Sequence, residues 1–384
     1  MRNYYQRRTT ACSLSETIIL MLFTFTTVTA RIQYQHNHNY NKERSKEMTA
    51  TDVLNHYLNF PGEDLLTEVV NVLEQPQWQL TDVYQGNTFF DGFDFFNDTD
   101  PTHGFVNYVN KEKAQHNGLI KIDQSSIVMK VDNSTILAAP ASKNQERGRS
   151  SVRISSHKDY DSGLFLFDVE HIPIACGAWP ALWLLGPNWP HGGEIDVIEG
   201  VNLQSQNLMA LHTSSGCKQR PSPLKQKGKT LTKDCDVKSP DQAPNQGCSV
   251  EDRSKKSFGS KFNQHGGGIF ALQWTPETGI QLWFFDRANI PKDIINKHPN
   301  PKLWGIPSAN FPFDSNYCTA HSFSKLKIII NTTFCGDWAG NSTIYKEKYN
   351  CPGQNCIDFI RKNPNKLNEV YWRIRSIKVY NKLT

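Results

Sequence analysis

The 384-residue chain contains no Cys-x-x-Cys pair, and its histidines are not interleaved with cysteines at ligand spacing, so a zinc module is disfavoured. It has no internal repeat and few stretches with the pattern of a long helix. It carries no concentrated basic stripe. The formal charge is +5, and loss of residues 1–30 with Arg2, Arg7, Arg8 and Glu16 leaves +3, which argues against a nucleic-acid partner. The apolar run from Thr17 to Val28 is shorter than the roughly 20 residues a bilayer span needs. The sequence closes on a strand pattern without an apolar tail for a lipid anchor, so no stable membrane association is expected. With 21% charged and 11% aromatic residues it is also not a disordered chain.

What is present points outward from the cell. Arg2, Arg7 and Arg8 precede the apolar run and Val28-Thr29-Ala30 follows it, the pattern of a signal peptide over residues 1–30; an uncleaved anchor is the alternative. Beyond Cys12, eight cysteines remain: Cys176, Cys217, Cys235, Cys248, Cys318, Cys335, Cys351 and Cys356. An even count suits disulfides in an oxidising compartment, with Cys351 and Cys356 able to staple one loop. Sequons stand at Asn97, Asn133, Asn331 and Asn341.

Residues 31–50 are polar and read as a leader. Residues 51–75 place Leu65, Val69, Val72 and Leu73 at helical spacing between Pro61 and Pro76, which predicts a short amphipathic helix. This extension over 31–75 is followed by the main domain, 76–384. There strand patterns recur at 163–167, 269–274, 280–285, 326–330 and 374–380. The stretch 221–247, rich in Lys, Pro, Asp and Gln, reads as one long exposed loop clipped by Cys217, Cys235 and Cys248.

The chemistry concentrates in Glu194-Ile195-Asp196-Val197-Ile198-Glu199. Strand side chains alternate, so Glu194 and Asp196 share a face and Glu199 points the other way. One β-bulge after Asp196 would bring Glu199 onto their face. The two Glu Cα atoms would then stand about 13 Å apart along the strand, and side chains leaning inward would leave the carboxyls roughly 5 Å apart, the separation of a retaining glycosidase. Three carboxylates on a strand are ordinarily a solvated face. Here Trp179, Trp183 and Trp189 lie just upstream, and indole faces stack on sugar rings.

The run from Trp179-Pro180-Ala181-Leu182-Trp183 through Asn188-Trp189-Pro190 to Gly193–Asn202 resembles glycoside hydrolase family 16, in its fungal-type endo-1,3(4)-β-glucanase (laminarinase-like) branch. Further blocks fit that branch in order: 89–93 (Phe-Phe-Asp-Gly-Phe), 100–106, Ser151-Val152-Arg153, 335–340 (Cys-Gly-Asp-Trp-Ala-Gly) and Tyr371-Trp372. The resemblance spans roughly Tyr84 to Tyr380. It implies an all-β jelly-roll sandwich, concanavalin-like, of two curved antiparallel sheets with a glucan groove on the concave face.

The resemblance also implies roles: Glu194 as nucleophile, Glu199 as acid/base and Asp196 as the carboxylate that supports the nucleophile. Trp183, Trp189, His212, Asn202 and Trp338 are the candidate substrate-binding residues; His103 and Arg153 match family blocks in what read as structural positions. No metal and no cofactor is expected to be needed. The expected partner is a β-glucan polysaccharide, cut by a secreted monomer at internal β-1,3 links and at β-1,4 links beside them. Two alternatives keep the fold. One is a transglycosylase that passes the glycosyl group to another glucan, and the other is a non-catalytic β-glucan-binding protein. A relative that cuts galactans is disfavoured by the flanking blocks.

Overall fold

The computed structural model describes residues 77–138, 148–220 and 225–383; the signal expected over 1–30 and the extension over 31–75 lie outside them. Short apolar alternations broken by turn residues give eighteen strands among the described residues. In chain order they are β1 (Trp78–Gln85), β2 (Phe93–Phe95), β3 (Val106–Tyr108), β4 (Ile120–Asp123), β5 (Ser126–Lys130) and β6 (Arg149–Ser151). Then come β7 (Arg153–Tyr160), β8 (Gly163–His171), β9 (Ala178–Leu185), β10 (Glu194–Glu199), β11 (Leu208–His212) and β12 (Lys229–Thr232). The last six are β13 (Cys248–Glu251), β14 (Gly268–Thr275), β15 (Gly279–Asp286), β16 (Ala309–Phe311), β17 (Leu326–Phe334) and β18 (Tyr371–Lys382).

Two eight-stranded antiparallel sheets form a jelly-roll sandwich. One runs β16-β15-β14-β8-β18-β5-β4, with β1 pairing the far half of β18; the other runs β12-β13-β11-β10-β9-β17-β7-β2. The alternation in β17 shows how the sequence builds the core. Leu326, Ile328 and Ile330 turn inward and are fully buried, while Ile329 and Asn331 take the opposite face. Inward residues of the second sheet (Leu182, Leu184, Ile195, Val197) meet those of the first (Phe165, Phe167, Phe270, Leu272, Trp372) in one core. Burial of each such side chain is worth about 1.5–3 kcal/mol, so the acid-bearing strand β10 is anchored by its inner half.

A second cluster lies beside the end of β9 and β17. Ala178, Phe334, Tyr345, Phe359 and Ile360 pack around Cys176–Cys351 and Cys335–Cys356. Cys351 and Cys356 therefore do not staple a single loop; each reaches a different distant segment, and together they tie the 343–362 region to the strand ends. The remaining pairs are Cys217–Cys318 and Cys235–Cys248. The stretch 221–247 also departs from a plain exposed loop. It contributes strand β12, which pairs β13, and it buries Cys235, Val237 and Ser239. Among the described residues no helix is long and apolar enough to cross a membrane.

Candidate active site

β10 sits between β9 and β11, and its register slips against both. Asp196 faces Trp183 on β9 and Ala210 on β11, whereas Glu199 faces Ala181 and Leu208, so β10 carries one residue more than each neighbour. That is a β-bulge after Asp196. Ile195, Val197 and Ile198 all turn into the core, two of them consecutive, and Glu194, Asp196 and Glu199 are left on the outer face together.

The turn before β10 carries Trp189 back over the acids. Gly193 makes this possible: its φ is +78°, and a Cβ there would lie 2.4 Å from Ser322 O and 2.5 Å from the Phe323 ring. Trp189 is 43% exposed, and its indole N–H donates to Glu194 Oε2. On the other side Trp179 donates from Nε1 to Glu199 Oε1 at 2.9 Å. Each glutamate thus has an indole of its own. Trp338, on the short helix Gly336–Ala339, meets Trp179 edge-to-face at 5.6 Å.

Trp183 stands between the acids and the far wall. Its Nε1 donates to Asn331 Oδ1 at 2.8 Å, Asn331 Nδ2 donates to the Tyr108 hydroxyl at 3.2 Å, and the Arg153 guanidinium lies 5.2 Å above the indole. His212 enters from β11, opposite Glu194, with Nε2 3.1 Å from Asp196 Oδ2. The approach is an ion-pair distance without hydrogen-bond alignment. His212 Nδ1 and Asp196 Oδ2 have no hydrogen-bond partner among the protein groups. Gly247 lies close to the ring; its φ is +61° and a Cβ would lie 2.7 Å from Nδ1.

Burial in company shifts every ionisable group here. Burial is the main cause that raises Glu194; Glu199 adds to it, while His212 and Trp189 pull the other way. Asp196 is pushed up to about 7 by burial and then by Glu194, and a proton on it can be donated to Glu194. Glu199 is pushed up to about 8 by burial and then by Asp196, against the Trp179 hydrogen bond. For His212 burial acts downward, but Glu194, Asp196 and Glu199 together outweigh it and push it up to about 9. The arrangement therefore holds one imidazolium among three carboxyls, each of them pushed up by burial. Glu194, Asp196 and His212 also offer ligand atoms within 4.8 Å of one another. A cation there would compete with the protons of His212 and Asp196 for the same lone pairs.

Of the residues expected in the site, Glu194, Asp196, Glu199, Trp183, Trp189 and His212 converge on one face, and Trp338 joins them through Trp179. Asn202 does not. It is 2% exposed and both amide atoms are occupied: Oδ1 accepts from Gly177 N at 2.6 Å and Nδ2 donates to Ala339 O at 3.1 Å. It is a brace behind the wall, not a groove residue. His103 lies on the rim, paired with Asp337 at 2.9 Å, next to the helix of Trp338. Asn331 is buried under Trp183, so its sequon is closed to a glycan in the folded chain. Trp179 opens the family-like run in the sequence without a role assigned to it there; the structure places its indole N–H on Glu199.

The family model described as "XgeA-like, catalytic GH16 domain" matches residues 93–380. An endo-1,3(4)-β-glucanase of Arthroderma benhamiae is 40% identical over 318 residues, covering 82% of this chain and 67% of that protein. Among solved structures, laminarinase 16A from Phanerochaete chrysosporium, with β-glucans in donor and acceptor sites, is 38% identical at a TM-score of 0.73. That match covers 79% of this chain and 99% of the other. An elongating family 16 β-1,3-glucosyltransferase is 41% identical at a TM-score of 0.72, covering 79% of this chain and all of the other.

Proposed function

The chain belongs to glycoside hydrolase family 16, and from that premise we propose a secreted, retaining endo-β-glucanase with Glu194 as nucleophile and Glu199 as acid/base. It is a glycoside hydrolase of endo-1,3(4)-β-glucanase type. The observation that carries the finer reading is the bulge in β10, with Glu194 and Glu199 on one face in unlike electrostatic surroundings. Retention needs one ionised and one protonated carboxyl side by side. His212, the Trp189 N–H and a proton on Asp196 all favour charge on Glu194, whereas burial is the main cause that pushes Glu199 up to about 8.

In the first step a Glu194 oxygen bonds the anomeric carbon as the glycosidic C–O bond breaks, and the Glu199 proton passes to the leaving oxygen. In the second, Glu199 takes a proton from water, whose oxygen attacks the same carbon and releases Glu194. Asp196 orients the nucleophile through its shared proton, and His212 balances the buried negative charge. Trp183, Trp189 and Trp338 supply ring faces for glucose units. Four disulfides among the described residues favour an oxidising compartment and hence secretion. With this reading go a signal over 1–30, an extension over 31–75 and a catalytic domain over 76–384.

A second reading has one observation in its favour, the similarity to the elongating glucosyltransferase. There a sugar hydroxyl replaces water in the second step, and the same carboxyls serve. Product analysis on laminarin, mixed-linkage β-glucan and agarose, wild type beside Glu194→Gln, separates the cases. Short oligosaccharides from the two glucans, lost in the variant, are expected. Chains longer than the substrate would replace hydrolysis by transfer, and binding without products would remove the catalytic claim.

A further inference from the structure

A β-bulge breaks the regular ladder, and the main-chain groups around it need partners that the neighbouring strand no longer offers. In β10 two of these groups are met by a single side chain that lies outside the strand. Asn207, the residue before β11, accepts the Glu199 N–H on Oδ1 at 3.0 Å and donates from Nδ2 to the Val197 carbonyl at 2.7 Å. The partners fix the orientation of the amide, because an N–H must face oxygen and a carbonyl must face NH2. Asn207 is fully buried, and its own main chain is pinned as well. Its N–H donates to Ser257 Oγ at 2.9 Å and its carbonyl accepts from Asp252 N at 2.9 Å. Ser257 Oγ in turn donates to Ser254 O at 2.7 Å, so the support is rigid.

We infer that Asn207 is a positioning residue for the acid/base: its carboxamide replaces the missing ladder partner and locks the bulge that aims Glu199 into the cleft. The inference rests on the proposed role of Glu199. The side-chain hydrogen bonds of Asn207 go to the main chain of Val197 and Glu199, so it acts through that backbone. Without the amide, two buried main-chain groups lose their partners, and the bulge relaxes toward a register that turns Glu199 away. A displacement of about 1 Å at a proton donor suffices for a loss of about 100-fold.

The test compares two leaving groups. Laminarin departs as a sugar alkoxide that needs the Glu199 proton, whereas a dinitrophenyl β-glycoside of a laminarin disaccharide departs without one. Asn207→Ala should lower kcat/KM on laminarin by about 100-fold and leave kcat/KM on the aryl glycoside nearly unchanged. Asn207→Asp keeps the shape. With its carboxyl protonated it accepts from Glu199 N–H and donates to Val197 O, and when ionised it repels that carbonyl. Its laminarin activity should therefore recover at acid pH and be lost again as pH rises, with the aryl glycoside flat; this variant carries the test where Asn207→Ala fails to fold. Undiminished laminarin cleavage by Asn207→Ala, or an equal loss on both substrates, would overturn the inference. Glu199→Ala is measured alongside. If it shows no split between the substrates, the acid/base assignment itself falls; if it does and the Asn207 variants do not, the positioning role alone is wrong.

Discussion

Trp179→Phe isolates one hydrogen bond to the proposed acid. Trp179 Nε1 reaches Glu199 Oε1 at 2.9 Å, and phenylalanine keeps an aromatic ring against Trp338 while deleting the N–H. A hydrogen bond to a charged group is worth about 1.5–3 kcal/mol and one to its neutral form about 1. The differential for the carboxylate over the acid is therefore on the order of 1.4 kcal/mol, about one pKa unit. Trp179 works against burial and Asp196, which push Glu199 up to about 8. Its removal leaves those two causes less opposed, so Glu199 holds its proton to still higher pH. The acid must be protonated for the first step, and activity is lost as pH rises through its pKa. The alkaline limb of kcat/KM on laminarin should therefore move upward by about one unit in Trp179→Phe. The assay is a pH profile of wild type and variant at matched ionic strength. Asp196 titrates beside Glu199, so the displacement of the limb between the two proteins is the quantity compared. Lost packing lowers the height of the profile without moving its limb. A limb that stays put or moves down would refute the reasoning, because it would mean that this N–H does not stabilise the ionised acid.

Asn202→Ala should destabilise the fold by about 2 kcal/mol, since the two hydrogen bonds that brace Gly177 and Ala339 are each worth about 1. A thermal melt should fall by several degrees while KM on laminarin is kept; a raised KM at unchanged stability would return Asn202 to the groove. In folded protein produced in a glycosylating host, glycopeptide mapping should find Asn331 bare, because its side chain is buried and holds Trp183, while the exposed Asn97 and Asn341 remain open to a glycan. A glycan on Asn331 in active protein would contradict the buried geometry.

Much of the acid site was legible along the chain because it is local. Strand alternation fixes the common face of Glu194 and Asp196, and a bulge is the only one-residue device that adds Glu199 to it; the register of β10 contains that bulge. The apolar alternations at 163–167, 269–274, 280–285, 326–330 and 374–380 likewise fall within strands β8, β14, β15, β17 and β18. The ordered blocks around the acids carried the family, and with it the sandwich.

What the chain could not declare depends on partners far along it. Cys351 pairs with Cys176 across 175 residues and not with the nearby Cys356, since pairing follows where packed loops meet. Asn202 and Asn331 look like any polar residue in a strand-rich sequence, and only the walls that close over them turn one into a brace and the other into the seat of Trp183. Trp179 becomes the hydrogen-bond partner of Glu199, and Asn207 the clasp of the bulge, for the same reason. Periodicity records which face a side chain takes; what it touches there, and hence its charge and its use, is set when distant segments are buried together.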